Sequence, residues 1–274
     1  MKTKRSERIG AMIRILTENP NTLYSYPVFC DMFGAAKSSI SEDIASIKGI
    51  IEKFGLGKIE TVAGAAGGVR FLQNVTDEDA REFLLNICSE LSKAERVLPG
   101  DFIYTVDVFS NPKYVSKMSE ILATKFRKLD ADFVVTVETK GIPIALMTAK
   151  NLGIPLVIAR RDNQMSEGPV VTINYVSGSS SRLQTMTVAK MAMSQGKKAL
   201  VIDDFMKAGG TVKGICEIMR EFDVKVVGVG VIIATAEPEQ KNIDDYYSLI
   251  TMHGIDKNQK LPILRPTQSL DMNL

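Results

Sequence analysis

The sequence predicts an α/β protein in which a small helical N-terminal domain precedes a larger domain with a mainly parallel sheet. Between residues 9 and 54, apolar side chains recur at helical spacing. After Pro112, continuous apolar runs of strand length alternate with helical patterns, which is typical of a parallel sheet covered by helices on both faces. A chain of 274 residues is long enough for two domains. We place the boundary near Asn74, with predicted domains at 1–74 and 75–274.

Composition excludes several classes of protein. Hydrophobic residues make up 45% and charged residues 24% of the chain, as in ordinary globular proteins. Cys30, Cys88 and Cys216 lack paired spacing, so neither a disulfide framework nor a zinc site is expected, and a single histidine excludes a multi-histidine metal centre. The most apolar segment, 224–236, is shorter than the roughly 20 residues that cross a bilayer. We therefore expect a cytoplasmic protein without a membrane partner.

The first 54 residues predict three helices. The first ends at Asn19-Pro20, and the second covers 26–33 and ends at Gly34. The third begins at Ser38 or Ser39, with Glu42 completing a capping box, and ends at Gly55.

Two short helices joined by a tight turn indicate a helix-turn-helix. Residues 58–72 follow it as two short apolar strands around a glycine-rich tip, which predicts a hairpin or wing. Together these features predict a winged-helix module that binds double-stranded DNA. A small helical domain used only for packing or dimerisation is the alternative.

The charge distribution favours DNA. Residues 1–74 contain ten Lys and Arg against seven Asp and Glu, whereas the remainder contains 24 against 25. Candidate DNA contacts are the basic residues of the module, the short donors that open its third helix and the small residues of the wing. They are Lys4, Arg5, Arg8, Lys37, Ser38, Ser39, Ser41, Gly64, Ala65, Gly67 and Arg70.

Further along, Thr76 is predicted to cap the start of another helix, and apolar residues at helical spacing extend this helix as far as Leu98-Pro99. The sequence of the larger domain then predicts helices at 113–129, 143–151 and 211–222. Strands are predicted at 132–137, 155–159, 199–202 and 225–234. Parallel sheets of this kind bind ligands at the carboxyl ends of their strands.

The end of one predicted strand has residues suited to bind a ligand. Two adjacent acids directly follow the strand 199–202, and a glycine-containing loop leads from them into a helix. The candidate ligand contacts are Asp203, Asp204, Phe205, Met206, Lys207, Ala208, Gly209, Gly210 and Thr211. Glycines and free helix N–H groups suit a phosphate, while paired carboxylates suit the diol of a ribose. The alternative is a Rossmann-like turn without a ligand.

This segment resembles the PRPP-binding motif of type I phosphoribosyltransferases, PRPP being phosphoribosyl pyrophosphate. It departs from that motif at Ala208, where many members have threonine. Thr139, Lys140 and Gly141 resemble the pyrophosphate loop of the same fold. In the alternative interpretation they form only a lysine-glycine connector.

Two more segments fit this fold. Arg160 and Arg161 follow the next strand and suit phosphate oxygens, although they are also compatible with a solvated surface. Tyr175, Ser177, Gly178 and Ser179 lie in a hairpin, 170–189, that resembles the mobile hood over PRPP. A serine-rich surface turn is the other interpretation.

A winged helix followed by a phosphoribosyltransferase domain resembles the purine operon repressor family of Gram-positive bacteria. The stretches that carry this resemblance are 37–43, 61–68, 175–178 and 203–205. It implies a homodimer that binds palindromic operators and controls genes of purine synthesis, transport and salvage. It implies that PRPP weakens DNA binding and that (p)ppGpp occupies the same pocket. Phe205 either stacks on a purine ring or packs in the core.

The resemblance implies a sensor without catalytic residues, resident metal or required cofactor, since Mg²⁺ would arrive with PRPP. A catalytically active purine phosphoribosyltransferase of the xanthine type is the competing hypothesis, because sensor and enzyme need the same PRPP site. A gene activator with the same ligand is the third.

Overall fold

A computed structural model of the chain describes residues 3–64, 66–161, 168–176 and 183–267. The chain forms two compact units, one of Met1–Val75 with Lys150–Gly153 and one of Thr76–Ala149 with Ile154–Leu274. Helices are α1 Arg5–Glu18, α2 Tyr26–Phe33, α3 Lys37–Lys53, α4 Asp77–Leu91, α5 Val106–Phe109, α6 Pro112–Phe126, α7 Ile142–Leu152 and α8 Gly210–Glu221. Strands are β1 Lys58–Val62, β2 Gly68–Leu72, β3 Val97–Leu98, β4 Phe102–Ile103, β5 Phe133–Val137, β6 Leu156–Ala159, β7 Val170–Val176, β8 Leu183–Ala189, β9 Lys198–Met206, β10 Lys225–Thr235, β11 Tyr247–Ile255 and β12 Pro262–Pro266.

The N-terminal unit is a winged helix, as predicted. Three helices enclose one apolar core, and β1 and β2 pair antiparallel as the wing. The turn between α2 and α3 passes through Gly34, whose φ of 57° lies in the left-handed region that glycine adopts without strain. The helix-turn-helix is therefore set by a local glycine and held by the apolar faces of all three helices.

The predicted start of α3 was wrong. Ala36 is the residue that precedes the helix, it makes no side-chain cap, and the helix begins at Lys37. The turn at Gly34 fixes this start, so Ser38 and Ser39 lie inside the first helical turn. Their hydroxyls are therefore not occupied in capping α3.

A buried acid joins α1 to α3. The Asp43 side chain is 1% exposed, and its two carboxylate oxygens accept hydrogen bonds from Nε of Arg5 at 3.1 Å and Nε of Arg8 at 2.7 Å. A desolvated charge is tolerated only when it is paired. The two arginines therefore contribute to the packing of the domain.

The larger unit contains a six-stranded sheet in the order β12-β11-β10-β9-β5-β6. Five strands are parallel and β12 is antiparallel at one edge. The mainly parallel α/β fold is thus confirmed. The prediction did not extend to β11 and β12, which complete that edge.

Helices cover the sheet on both faces. On one face, α8 and the β7–β8 hairpin share a core with β5, β9 and β10. On the other, α6 packs so closely that Gly228 and Gly230 of β10 lie against Phe126. The sheet therefore has two apolar faces, which explains why its strands have continuous apolar sequences.

The helix after the winged helix is shorter than predicted. It ends at Leu91, and the buried Arg96 follows in a short 3-10 helix. The guanidinium of Arg96 hydrogen-bonds to Glu90 at 2.6 Å and to Asp107 at 2.8 Å. These ion pairs and the β3–β4 ladder compete with helix continuation toward Leu98. Among the described residues, none of the helices has the length and apolar character needed to cross a membrane.

Replacing Gly230 with alanine is expected to destabilise the larger unit by about 1–3 kcal/mol, the usual cost of overpacking a core. The new Cβ would lie 2.6 Å from Cε2 of Phe126 and 2.9 Å from Cδ1 of Ile202. Chemical denaturation measures the change. Gly49→Ala is the control, because its Cβ meets nothing within 4 Å in α3. That substitution should be neutral or stabilising, and equal losses in the two variants would contradict the packing argument.

Arg8→Met is expected to destabilise the winged helix by about 3 kcal/mol, because it leaves the buried Asp43 with Arg5 as its remaining partner. Thermal unfolding monitored by circular dichroism measures the loss. Arg14→Met is the control, since Arg14 makes only an exposed pair with Glu18. A loss of DNA affinity in Arg8→Met without any loss of stability would show that Arg8 acts as a phosphate contact instead.

Candidate functional site

The acid pair lies within β9, because that strand is longer than the sequence predicted. Pairing with β5 is recorded only as far as Val201, whereas pairing with β10 continues to Met206. Asp203 and Asp204 therefore lie beyond the β5 ladder, with β10 on their other side. The loop that follows β5 can approach them on the open side.

Gly141 brings that loop against the acids. A Cβ on this residue would lie 2.8 Å from Oδ1 of Asp203 and 2.5 Å from Oγ1 of Thr136. The approach therefore depends on glycine. Thr136 is fully buried and its hydroxyl has no hydrogen-bond partner. Thr139 and Lys140, in contrast, are exposed at the surface of the same loop.

Both acids are held where charge is unfavourable. Burial, and next the neighbouring Asp204 charge, raise the pKa of Asp203 well above its ordinary value. Burial also raises the pKa of Asp204, while the charge of Lys140 opposes that shift. Arg161 acts on Asp203 in the same favourable way. The site thus combines two desolvated carboxyls with the fields of exposed cations.

The turn after β9 leads directly into α8. Gly209 precedes the helix with a φ of 79°, a left-handed conformation that strains other residues. The carbonyl oxygen of Ala208 accepts a hydrogen bond from the backbone N–H of Asn242 at 2.8 Å. The first N–H groups of a helix have no intrahelical acceptors, and the helix dipole adds positive potential there. The turn is therefore suited to a phosphate.

Arg160 and Arg161 meet an acid that the sequence analysis did not single out. One oxygen of Glu138 accepts from the Arg160 guanidinium at 3.2 Å, and the other accepts from the backbone N–H of Arg161 at 2.7 Å. The register of β5 and β6 pairs Val137 with Ala159, so Glu138 and Arg160 occupy equivalent places after their strands. Their equal positions after the two strands were the sequence signal from which this ion pair could have been predicted. The Arg160 side chain is engaged, whereas Arg161 is exposed near Asp203.

The predicted hood residues divide into two groups. Tyr175 is only 4% exposed and packs in the core. Ser177, Gly178 and Ser179 lie outside the described residues, so their predicted roles stay predictions.

Beyond the acids, Phe205 remains 38% exposed at the end of β9. Lys207 is exposed and Met206 is buried. An aromatic face is therefore accessible two residues beyond Asp203, and core packing does not account for all of Phe205.

The candidate DNA contacts also divide into two groups. Lys4, Lys37, Ser38 and Ser41 are exposed, and Ser39 is half-buried. Gly64 and Gly67 lie in the wing, while Ala65 is outside the described residues.

The three arginines among those candidates already have internal partners. Arg5 and Arg8 bind Asp43, and Nε of Arg70 donates to Glu60 at 2.6 Å. The Arg5 side chain is still 58% exposed, whereas that of Arg8 is 13% exposed. Among these candidate DNA contacts, Lys4 and Lys37 are the exposed cations for which the described residues show no ion pair.

A groove of about 620 Å³ lies over β10, lined by Lys213, Cys216, Val229 and Asp244 among others, but the acid pair does not line it. In the described part of the chain, no cluster of His, Cys, Asp and Glu is arranged to hold a metal. The three cysteines are free thiols.

Family models match both units. Residues 4–73 match the N-terminal domain of the bacterial purine repressor, and residues 106–262 match the phosphoribosyl transferase domain. An adenine phosphoribosyltransferase structure from Giardia lamblia has a TM-score of 0.54 at 19% identity, covering 66% of this chain and 99% of that one. At that identity the likeness concerns the fold alone.

Relatives cover nearly the whole chain. The purine biosynthesis transcriptional repressor PurR of Bacillus subtilis is 42% identical, with 95% of this chain and 91% of that protein covered. The purine biosynthesis transcriptional activator PurR of Lactococcus lactis is 40% identical, with 92% and 93% covered. A xanthine phosphoribosyltransferase of Deinococcus deserti is 34% identical over 51% of this chain and 75% of that protein.

Two domain models matched in order, together with relatives of this identity along more than nine-tenths of the chain, show that the protein belongs to the bacterial purine repressor family of DNA-binding transcription regulators.

Proposed function

We propose that this protein represses genes of purine synthesis, transport and salvage and that PRPP bound at the acid pair weakens its hold on DNA. The observation that carries the proposal is the placement of Asp203 and Asp204. The buried Asp203 and the half-buried Asp204 both have raised pKa values and lie directly before a turn suited to phosphate, where the charges of the exposed Arg161 and Lys140 act on them. PRPP is a polyanion that also carries a diol, and it offers complementary groups to each of these features.

The parts of PRPP can be assigned by chemistry. The ribose diol donates hydrogen bonds to the two acids, which favours their ionised forms. The 5-phosphate accepts from the helix N–H groups and from the hydroxyl of Thr211. The diphosphate and the Mg²⁺ that accompanies it fit the loop of Thr139 to Gly141, next to Arg161. Ala208 supplies no hydroxyl, so Thr211 supplies the hydroxyl contact of the turn.

The same chemistry accommodates (p)ppGpp. Its phosphates suit the turn and the cations, and its guanine ring suits the exposed face of Phe205. We propose that (p)ppGpp competes with PRPP for this site. It favours repression because its binding, unlike that of PRPP, does not weaken the hold of the protein on DNA.

Release of DNA by PRPP requires a difference in affinity. A ligand shifts an equilibrium only as far as it binds the DNA-free form more tightly than the DNA-bound form. We propose a homodimer in which this difference acts on two winged helices at palindromic half-sites.

Catalysis of phosphoribosyl transfer is the second candidate function, since the chain also resembles a xanthine phosphoribosyltransferase. Incubation with PRPP, Mg²⁺ and xanthine, hypoxanthine or guanine tests it. Nucleotide formation at enzymatic rates would show that the protein is an enzyme and would contradict the hypothesis of a sensor. The sign of regulation is measured separately by transcription from purine promoters, because one relative is an activator.

Lys37→Ala is expected to weaken DNA binding and to lower the slope of log affinity against log salt by about 1.8 in the proposed homodimer, since one lost phosphate contact corresponds to about 0.9 and each subunit loses one. Lys37 is exposed at the start of α3. A mobility-shift titration on a purine promoter fragment at several salt concentrations measures both quantities. Lys197→Ala, in the larger unit, is the control and should change neither. An unchanged slope in Lys37→Ala would remove this residue from the DNA contact.

Replacing Asp203 and Asp204 together with asparagine is expected to leave DNA binding intact and to abolish its sensitivity to PRPP. Asparagine keeps the shape but cannot supply the anionic acceptors that the diol requires. A mobility-shift titration with PRPP and Mg²⁺ measures the effect. Asp130→Asn is the matched control, because that carboxylate is 92% exposed. Normal release of DNA by the double variant would overturn the pocket assignment.

The same double variant should be more stable than the parent at neutral pH, because it lacks the two carboxyls whose pKa values are raised in the folded state. A carboxyl whose folded pKa is raised binds its proton more tightly in the folded state. Its stability is therefore complete below the unfolded value and is lost as the pH rises through the folded pKa. The stability difference between variant and parent should accordingly disappear in acid, as thermal unfolding across pH will show.

A further inference from the structure

Glu138 lies between the end of β5 and the loop of Thr139 to Gly141. Its backbone N–H donates to the carbonyl oxygen of Ala159 at 3.0 Å, which holds Glu138 beside the end of β6. Three residues further along the chain, Gly141 lies against Asp203. The backbone of Glu138 is thus fixed directly before the loop to which the diphosphate of PRPP is assigned.

The side chain of Glu138 accepts hydrogen bonds from two donors of different kinds. Nη1 of Arg160 donates to Oε2 at 3.2 Å, and the backbone N–H of Arg161 donates to Oε1 at 2.7 Å. A guanidinium and a backbone N–H are also the donors that proteins use to bind the oxygens of a phosphate. Each carboxylate oxygen therefore occupies a donor that would suit a phosphate oxygen.

The same contacts compensate the charge of Arg160 before any ligand arrives. The side chains of Arg160 and Glu138 are 30% and 23% exposed, so solvent and salt screen this pair less than a pair at the open surface. A diphosphate at the neighbouring loop has two ways to bind. It displaces Glu138 from its donors, or it binds beside the negative charge of Glu138. Both cost affinity, and both costs depend on the carboxylate charge.

We propose that Glu138 is an internal competitor for the diphosphate of the effector and that it sets the concentration of PRPP at which the protein releases DNA. The competition concerns the diphosphate alone, because the 5-phosphate is assigned to the turn before α8. Glu138 is thus a specificity-determining residue that lowers the affinity for PRPP without lowering that for ribose 5-phosphate. The inference rests on the proposed function, because it places the diphosphate at the loop of Thr139 to Gly141.

Calorimetric titration of the full chain with PRPP, with pyrophosphate and with ribose 5-phosphate, each with and without Mg²⁺, tests the competition. Glu138→Gln keeps the size of the side chain and removes its charge. PRPP and pyrophosphate should bind this variant about tenfold more tightly than the parent, the equivalent of one hydrogen bond to a charged group. Ribose 5-phosphate should bind as it does to the parent. The gain should shrink at high salt, because its origin is electrostatic.

A mobility-shift titration on a purine promoter fragment measures the consequence for sensing. In Glu138→Gln, the concentration of PRPP that releases half of the DNA should fall about tenfold, in proportion to the gain in affinity. DNA binding without PRPP should stay at the parent value. A purely structural role for Glu138 does not predict this combination, because loss of the contacts to Arg160 and Arg161 would then weaken the site.

Glu221→Gln is the matched control, since that exposed acid lies at the end of α8 opposite the turn, and its affinities should equal those of the parent. Unchanged or weaker binding of PRPP by Glu138→Gln, alongside normal binding by the parent, would overturn the competition and leave the proposed function standing. A loss seen only with Mg²⁺ would identify Glu138 as a metal ligand and overturn it equally. A parent protein that does not bind PRPP would overturn both. Glu138→Ala should show the same gain, which keeps the test decisive where the glutamine amide disturbs the loop.

Discussion

The burial of Asp203 beside the half-buried Asp204 at the end of β9 is the constraint around which the larger unit is arranged. Desolvation opposes both charges and raises the pKa of each carboxyl, and the charge of Asp204 raises the pKa of Asp203 further. In the described residues, no cation lies within ion-pair distance of Asp203, although Arg161 and Lys140 act on the two acids from further away. Such an arrangement lowers the stability of the ligand-free fold, and proteins retain such costs at functional sites. The surrounding loops leave the acids in reach of a ligand.

Asp43 provides the contrast within the same chain. It is as deeply buried as Asp203, yet two arginines satisfy its carboxylate at hydrogen-bond distance. A buried acid that is paired with cations stabilises the packing of the fold. A buried acid without such cations is a candidate for binding a ligand. The difference between the two environments separates a structural charge from a binding site without reference to the family.

The sequence predicted those features that depend on side-chain type over several consecutive residues. Strands buried on both faces have continuous apolar runs, and the acid-glycine turn stands out because polar residues follow such a run directly. The end of β9 was not predictable, because pairing of Asp203 to Met206 with β10 depends on a backbone ladder that polarity does not reveal. The start of α3 was mispredicted since the left-handed Gly34, rather than a serine cap, determines it. The equal positions of Glu138 and Arg160 after their strands could have indicated this pair, but the pairing of β5 with β6 that brings them together is seen only in the structure.

The departure of this turn from its motif increases the weight carried by Thr211. Where a threonine at position 208 would offer a second hydroxyl, Ala208 offers none, and the carbonyl of that residue is engaged by Asn242. A phosphate at the turn is then held by backbone N–H groups, whose direction is fixed, and by one hydroxyl, whose direction is free to change. The hydroxyl of Thr211 is thus the one hydroxyl of the turn that can adjust its direction to a phosphate. With one hydroxyl fewer than the motif it resembles, the turn depends more on the backbone N–H groups at the start of α8 for holding a phosphate.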